Sequence, residues 1–348
     1  MSLVAHTIHA FEGAPLPDAV RRAAIGVLVA NARRGLETAP AGSSLEFARE
    51  MEARPIAEHV AAANAQHYEL PPAFFQAVLG PQLKYSSGLY ADGVTTLAEA
   101  EEAALYETAA HADLRDGQRI LELGCGWGSL SLWMARVLPR AQVVSVSNSA
   151  SQAAFIRDRA RALGVANLEV VTADMNDFAP AEADFDRIVS VEMFEHMANW
   201  RALLTRARSW LKPDGRLLLH VFTHKTTPYR FDAGDEADWI ARHFFTGGIM
   251  PSHDLAFRFP DLFTVEADWR WNGRHYARTA QAWLANYDRR GAAIRPILAE
   301  VYGDDAILWS RRWRLFFLAT AGLFGHRGGS EWGVSHYLMA PNRTHAPC

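Results

Sequence analysis

Hydrophobic positions along the chain change rhythm twice, and the changes mark its organisation. Over the first 65 residues apolar side chains recur at helical spacing in an Ala-, Arg- and Glu-rich background. Helices are therefore expected from Asp18 to Leu36 and from Ser44 to Ala65, separated at Pro40 and Gly42. His67 to His111 holds Pro71, Pro72, Gly80, Pro81 and Gly88 and reads as short helices and loops. Short apolar runs of strand length follow: Arg119 to Leu123, Gln142 to Val146, Leu168 to Thr172, Phe185 to Val191 and Arg216 to Phe222. Amphipathic runs lie between them at Leu130 to Leu138, Ser151 to Leu163 and Trp200 to Leu211, with a turn at Lys212-Pro213-Asp214-Gly215. Strand and helix alternating at this spacing give βαβ units, and hence a mostly parallel sheet covered on both faces.

After Thr223 the alternation stops. Thr226 to Arg258 is aromatic and acidic and is expected as irregular segments and short helices. Leu262 to Trp271 reads as a strand, His275 to Asp288 and Asp304 to Leu323 as helices, and Glu331 to Met339 as a closing strand. The resulting plan is a helical extension (1–66), an α/β core (67–225), a mostly helical cover with one core strand (226–325, strand near 262–271), and a closing strand and tail (326–348).

Composition narrows the function classes. With 348 residues and 49% hydrophobic content the chain supports a large core, and a net charge of -4 argues against nucleic acid as a partner. Two cysteines, Cys125 and Cys348, build neither a disulfide framework nor a cysteine zinc site, and the histidines lack metal-ligand spacing, so no metal is expected. The start of the chain lacks a secretory pattern, and the apolar run Leu315 to Gly325 is roughly half of a membrane span. These features give a cytoplasmic protein, compatible with a homodimer. The basic stretch Arg311-Arg312-Trp313-Arg314, followed by Leu315-Phe316-Phe317-Leu318, is the one feature that suggests peripheral contact with a membrane surface.

The segment Leu121-Glu122-Leu123-Gly124-Cys125-Gly126-Trp127-Gly128 ends a strand, makes a glycine turn and opens a helix. Missing side chains let a ligand lie against the backbone near the helix N-terminus. Dinucleotide sites place an acidic residue at the end of the second strand to hold the ribose, but here Ser145-Val146-Ser147-Asn148 stands there. Asp174, after the third strand, is placed for an adenine or ribose contact. The turn and Asp174 together favour S-adenosylmethionine over NAD.

Further segments carry a family resemblance. They include His67-Tyr68-Glu69-Leu70-Pro71, Lys84-Tyr85-Ser86-Ser87, Thr95-Thr96-Leu97, Ser147-Asn148-Ser149-Ala150-Ser151-Gln152, Phe194-Glu195-His196-Met197, Thr223-His224-Lys225-Thr226, His275-Tyr276-Ala277-Arg278-Thr279 and Glu331-Trp332. Over nearly four fifths of its length the chain resembles the cyclopropane-fatty-acyl-phospholipid synthase superfamily of S-adenosylmethionine-dependent enzymes, and within it the coclaurine N-methyltransferase-like branch. The resemblance implies a class I methyltransferase fold, Rossmann-like α/β with a mostly parallel seven-stranded sheet and helical N-terminal and cap additions. It implies S-adenosylmethionine as cofactor and S-adenosylhomocysteine as product. Tyr85 and Ser86 would hold the amino-acid end of the cofactor against the turn of Glu122, Gly124, Gly126 and Gly128. Ser147, Asn148 and Gln152 would line the ribose, Asp174, Met175 and Asn176 the adenine, with Val191 on the sheet side.

Glu192-Met193-Phe194-Glu195-His196 leaves the fourth strand at its carboxyl end, where ligands bind in open α/β sheets. Methyl transfer is largely positioning, but an ammonium must first lose its proton. Glu195 and His196 are the candidates for general base and orienter, with Glu192 holding the cationic amine. By resemblance, lipid-cyclopropanating members carry Cys where Ser87 stands and Gly where Glu192 stands, and use a bicarbonate held by that Cys, a Glu, a His, a Tyr and an Ile backbone. Glu195, His220 and Tyr276 match three of these positions, Phe222 replaces the Ile, and losing the Cys puts bicarbonate in doubt. The favoured reading is N-methylation of a small aromatic or arylalkyl amine. Methylation or cyclopropanation of unsaturated lipid acyl chains is the alternative, and a non-catalytic S-adenosylmethionine-binding module is the third. Phe231, Trp239, Phe244, Phe245, Trp269, Trp271 and Tyr276 are candidates for an aromatic acceptor wall, with Asp232, Asp235, Glu236 and Asp238 at its entrance.

Overall fold

A computed structural model describes residues 12, 14, 16–40, 42–58, 70–235 and 238–342. The His67-Tyr68-Glu69 motif, Glu236, Cys348 and residues 59–65 of the expected Ser44 to Ala65 helix lie outside the described residues. The described part of that helix ends at Met51, and 52–58 run as turns and bends around Pro55, whose ring and missing N–H cannot continue a helix. The longer helices are α1 (Asp18–Glu37), α2 (Ser43–Met51), α3 (Pro72–Val78), α4 (Leu97–His111), α5 (Ser129–Val137), α6 (Ala150–Ala162), α7 (Trp200–Trp210), α8 (Arg274–Arg289), α9 (Gly291–Tyr302) and α10 (Ala306–Gly325), with a single short helical turn at Trp239–His243. The strands of the main sheet are β1 (Arg119–Leu123), β2 (Gln142–Ser147), β3 (Leu168–Thr172), β4 (Phe185–Val191), β5 (Leu211–His224), β6 (Phe263–Asn272) and β7 (Trp332–Pro341).

The apolar runs of β1 and β4 are buried on both faces, as parallel strands are when helices cover the sheet. Strand order is β3-β2-β1-β4-β5-β7-β6, parallel from β3 to β5, with β7 antiparallel to both β5 and β6. The order reverses between β1 and β4. A crevice opens at such a switch point beyond the strands' carboxyl ends, and both the Gly124 turn and the Glu192 segment leave the sheet there.

Three further elements differ from the sequence reading. The stretch expected as short helices and loops contains the 15-residue α4, opened by a capping box in which Thr96 and Glu99 satisfy each other's backbone N–H groups. Thr96→Ala is expected to cost about 1 kcal/mol, a fall of roughly 2 °C in a thermal melt. Helix α9 forms although Pro296 lies inside it. The Lys212 to Gly215 turn is absorbed into β5 as an irregularity, since Phe185 faces Leu211 while Arg187 already faces Arg216. A two-residue ladder between Tyr229–Arg230 and Ile249–Met250 ties the irregular segment together.

One hydrophobic cluster joins the sheet to α7 and α2, and a second joins α3, α8, α9 and α10 to Trp127, Phe222 and the ends of β6 and β7. Trp313 and Phe317 are fully buried in the second cluster, and Arg314 pairs with Asp18 and Asp288. The basic stretch read as a membrane-surface feature therefore buries Trp313, Leu315, Phe317 and Leu318 in the fold and engages Arg314 in partly exposed ion pairs. No helix among the described residues is long and apolar enough to cross a membrane.

Candidate active site

A cavity lies beyond the carboxyl ends of β1, β2 and β4 and is roofed by α8 and α10. Of the cofactor candidates, Tyr85, Ser86, Glu122, Gly124, Gly126, Ser147, Asn148, Gln152, Asp174, Met175 and Val191 all line it. Gly128 does not. It is the left-handed N-cap of α5, and a Cβ there would lie 2.7 Å from Ile156, so this glycine serves helix packing. Gly124 (φ +83°) accommodates Met193, because a Cβ would lie 2.5 Å from that side chain. Gly126 (φ +50°) has no protein atom within 4 Å of where its Cβ would stand. Gly126 itself lines the cavity.

The lining has polar atoms ready for a ligand. Glu122 is buried and accepts from Ser131 Oγ and Ser145 Oγ (2.7 Å for the latter). Ser147 Oγ bonds Gln152 Oε1 at 2.9 Å, which leaves Gln152 Nε2 buried without a partner among the described residues. Trp127 Nε1 and Ser129 Oγ are in the same condition, and all three residues face the cavity. Buried polar atoms are rarely left unmatched, so this donor set fits a polar cofactor lying on the turn. Asp174 Oδ1 accepts from the Asn176 N–H (2.8 Å), and the Asn176 side chain is turned away to pair with Ala57 N and O.

Of the catalytic candidates, Glu192, His196 and Tyr276 line the cavity, whereas Glu195 and His220 stand behind its wall. Glu192 has φ +49°, a rare conformation for a residue with a side chain. Its N–H donates to the His220 carbonyl at 2.7 Å. Its carboxylate receives the Ser87 N–H at 2.9 Å and the Tyr276 hydroxyl at 2.7 Å, and His220 Nε2 lies 3.4 Å away. Burial raises the Glu192 pKa above the ordinary carboxylate range, opposed first by Lys84, then by the Ser87 and Tyr276 hydrogen bonds. Glu195 is fully buried and accepts the Phe222 N–H at 2.7 Å; burial and then the Glu192 charge push its pKa far up, so it holds its proton. The base role expected for Glu195 therefore has no route to an acceptor, and Glu192 is the carboxylate presented to the cavity. His196 packs against Phe245, and burial lowers its pKa to about 4, leaving a neutral imidazole. Burial likewise drives His220 well below its usual value.

Tyr276→Phe removes one of the two hydrogen bonds that favour ionised Glu192. The expected result is a roughly tenfold lower kcat and an acid limb of the pH–rate profile moved upward; an unmoved limb would dissociate Tyr276 from Glu192.

The acceptor side is apolar. Phe231, Phe245 and Tyr276 belong to it as expected, but Trp239, Phe244, Trp269 and Trp271 do not line it. Phe244 packs on Phe316 and Trp313, and Trp269 stacks on His111. The wall is completed by Phe222, singled out above only as the replacement of an Ile, and by Met250, Phe316 and Phe324, which no local pattern marks. Asp232 and Asp238 are engaged in local turns and caps rather than facing the cavity. Among the described residues no group of three or more His, Cys, Asp or Glu is placed to hold a metal.

The sheet order with its antiparallel seventh strand, the glycine turn after β1 and the cavity at the switch point define a class I S-adenosylmethionine-dependent methyltransferase. The family model for mycolic acid cyclopropane synthetase matches residues 57–328, and the chain belongs to that family. It is 35% identical over 289 residues to (S)-coclaurine N-methyltransferase of Thalictrum flavum subsp. glaucum, covering 82% of this chain and 80% of that protein. It is 33% identical over 271 residues to the cyclopropane-fatty-acyl-phospholipid synthase of Escherichia coli K12, covering 77% of this chain and 66% of that protein. A crystal structure of coclaurine N-methyltransferase bound to N-methylheliamine and S-adenosylhomocysteine superposes with a TM-score of 0.92 at 31% identity, over 97% of this chain and 99% of that one.

Proposed function

We propose that the protein methylates the nitrogen of a small aromatic or arylalkyl amine, with Glu192 taking the proton that the amine must lose. The observation that carries this reading is the placement of the Glu192 carboxylate. It accepts the Ser87 N–H and the Tyr276 hydroxyl and lies beside His220. Those positions correspond, by family resemblance, to ligands of the bicarbonate in lipid-cyclopropanating members, which carry Gly where Glu192 stands. Here the protein's own carboxylate takes up donors that would otherwise serve a bound anion. The left-handed backbone at Glu192 favours glycine on steric grounds, so a carboxylate retained there despite the strain supports a chemical role.

Bound S-adenosylmethionine supplies an electrophilic methyl group. Tyr85 and Ser86 would hold its amino-acid end, Ser147, Asn148 and Gln152 its ribose, and Asp174 and Met175 its adenine. Glu192 takes a proton from the ammonium, which frees the nitrogen lone pair; the methyl group would pass to it as its bond to sulfur breaks, leaving S-adenosylhomocysteine. The neutral His196 imidazole accepts a hydrogen bond from the acceptor and orients it, while Phe231, Phe245, Phe316 and Phe324 exclude water and seat a flat ring. The likeness to an N-methyltransferase spans 80% of that protein, against 66% of the cyclopropane synthase, and this supports the amine over the lipid acceptor. Methylation of a secondary arylalkylamine should run equally fast in carbonate-depleted buffer and with added bicarbonate. A bicarbonate requirement would overturn the role given to Glu192.

A further inference from the structure

Lys84 precedes the two residues assigned to the cofactor's amino-acid end, and no step described so far uses its charge. The side chain is only 3% exposed. Its Nζ donates to Ser86 Oγ at 2.5 Å and to the Ser87 carbonyl at 2.8 Å, both uncharged partners. An ammonium is costly to bury unless opposite charge compensates it. Two carboxylates attract it, Glu192 across the cavity wall and Glu101 from α4. Glu101 also accepts the N–H groups of Gly80 (2.9 Å) and Gln82 (2.8 Å), so it fixes the segment leading into Lys84.

Ser87 connects the two charges. Its carbonyl accepts from Lys84 while its own N–H donates to Glu192 Oε1. The same ammonium thus anchors Ser86 and Ser87, the two residues flanking the N–H that grips Glu192, and lies within electrostatic reach of that carboxylate. We propose that Lys84 is a positioning residue for methyl transfer, whose buried charge keeps the Glu192 carboxylate ionised and aimed into the cavity. This rests on the reading of Glu192 as the group that takes the acceptor's proton.

The other groups that face Glu192 do not supply that charge. His220 on β5 and His196 in the turn after β4 are held neutral by burial. Tyr276 on α8 and Glu195 keep their protons, because burial and the neighbouring Glu192 charge push both values up. Lys84 itself faces Glu192 and Glu101, and burial lowers its pKa only to about 8, so it is charged at neutral pH.

Lys84→Gln keeps hydrogen-bond donors while removing the charge, and Lys84→Met removes both. The protonated-carboxyl stretch of Glu192 is assigned by infrared difference spectroscopy through its loss in Glu192→Gln, then titrated in each variant. Removing an opposite charge should move the Glu192 midpoint upward by about one pH unit or more in both variants, and Lys84→Arg should restore it. The acid limb of kcat/KM should move by the same amount. A folded Lys84→Gln protein with an unmoved midpoint and limb overturns the proposal. Failure of the Glu192 reading has a different signature, because Glu192→Gln would then keep its turnover whatever the Lys84 variants do.

Discussion

Glu192→Gln is expected to lower kcat/KM for amine methylation about 10³-fold, or about 4 kcal/mol in transition-state stabilisation. The substitution keeps the shape of the side chain and loses its ability to take a proton. Its amide oxygen can still accept the Ser87 N–H, and its NH2 can donate to the Tyr276 hydroxyl oxygen in place of accepting from it, so the cavity wall should stay in place. The effect should therefore fall on kcat, with affinity for S-adenosylhomocysteine, read by titration calorimetry, within about threefold of the parent. The parent's pH profile carries a second sign of the same group. Burial raises the Glu192 pKa, and only the ionised form takes a proton. Activity should be full above that raised value and fall as pH drops through it, at a pH above the ordinary carboxylate range. In Glu192→Gln that limb should vanish. A decrease of less than tenfold, with the limb retained, would remove Glu192 from the reaction.

Gly124→Ala should abolish cofactor binding more thoroughly than any lining substitution. Gly124 sits at φ +83°, and its new Cβ would stand 2.5 Å from both Cβ and Cγ of Met193. The left-handed conformation costs about 1–2 kcal/mol with a side chain, and Met193 has little room to yield because it is itself buried. Relief must come from the turn, whose Gly124 and Cys125 N–H groups both bond the Val146 carbonyl. Loss of more than 10²-fold in S-adenosylhomocysteine affinity is expected, together with a lower melting temperature. Gly126→Ala separates the two effects. Its Cβ meets no protein atom, so the fold should tolerate it at a cost of about 1 kcal/mol, while cofactor affinity falls because the methyl group enters the cavity. Parent-like affinity in both variants would contradict the assignment of the turn to the cofactor.

The sheet was readable from the sequence because its strands are short apolar runs separated by amphipathic helices, and burial on both faces leaves that signature. Helix α9 was not, since Pro296 hides a helix that its packing in the α3–α8–α10 cluster sustains. The start of α4 has a local signal in Thr96-Leu97-Ala98-Glu99, a capping box masked by the surrounding prolines and glycines. In the site, the glycine turn and the cluster of Glu192, Glu195 and His196 were legible as chemistry. Which carboxylate faces the cavity was not. That depends on one backbone torsion at Glu192 and on the Phe222 N–H that claims Glu195. Phe316 and Phe324 reach the cavity only because α10 packs across α8 and α1, a tertiary contact no local pattern announces. Lys84 stood in a recognised motif, but its charge acquires meaning only through the carboxylates that folding brings near it.

Incubation with methyl-labelled S-adenosylmethionine and one mixture of secondary arylalkylamines and unsaturated phospholipid vesicles tests the central claim most directly. The account predicts label in the amine fraction as N-methyl product, with the lipid fraction at background. Label in the lipid as methyl or cyclopropane carbon, with none in the amine, would contradict it.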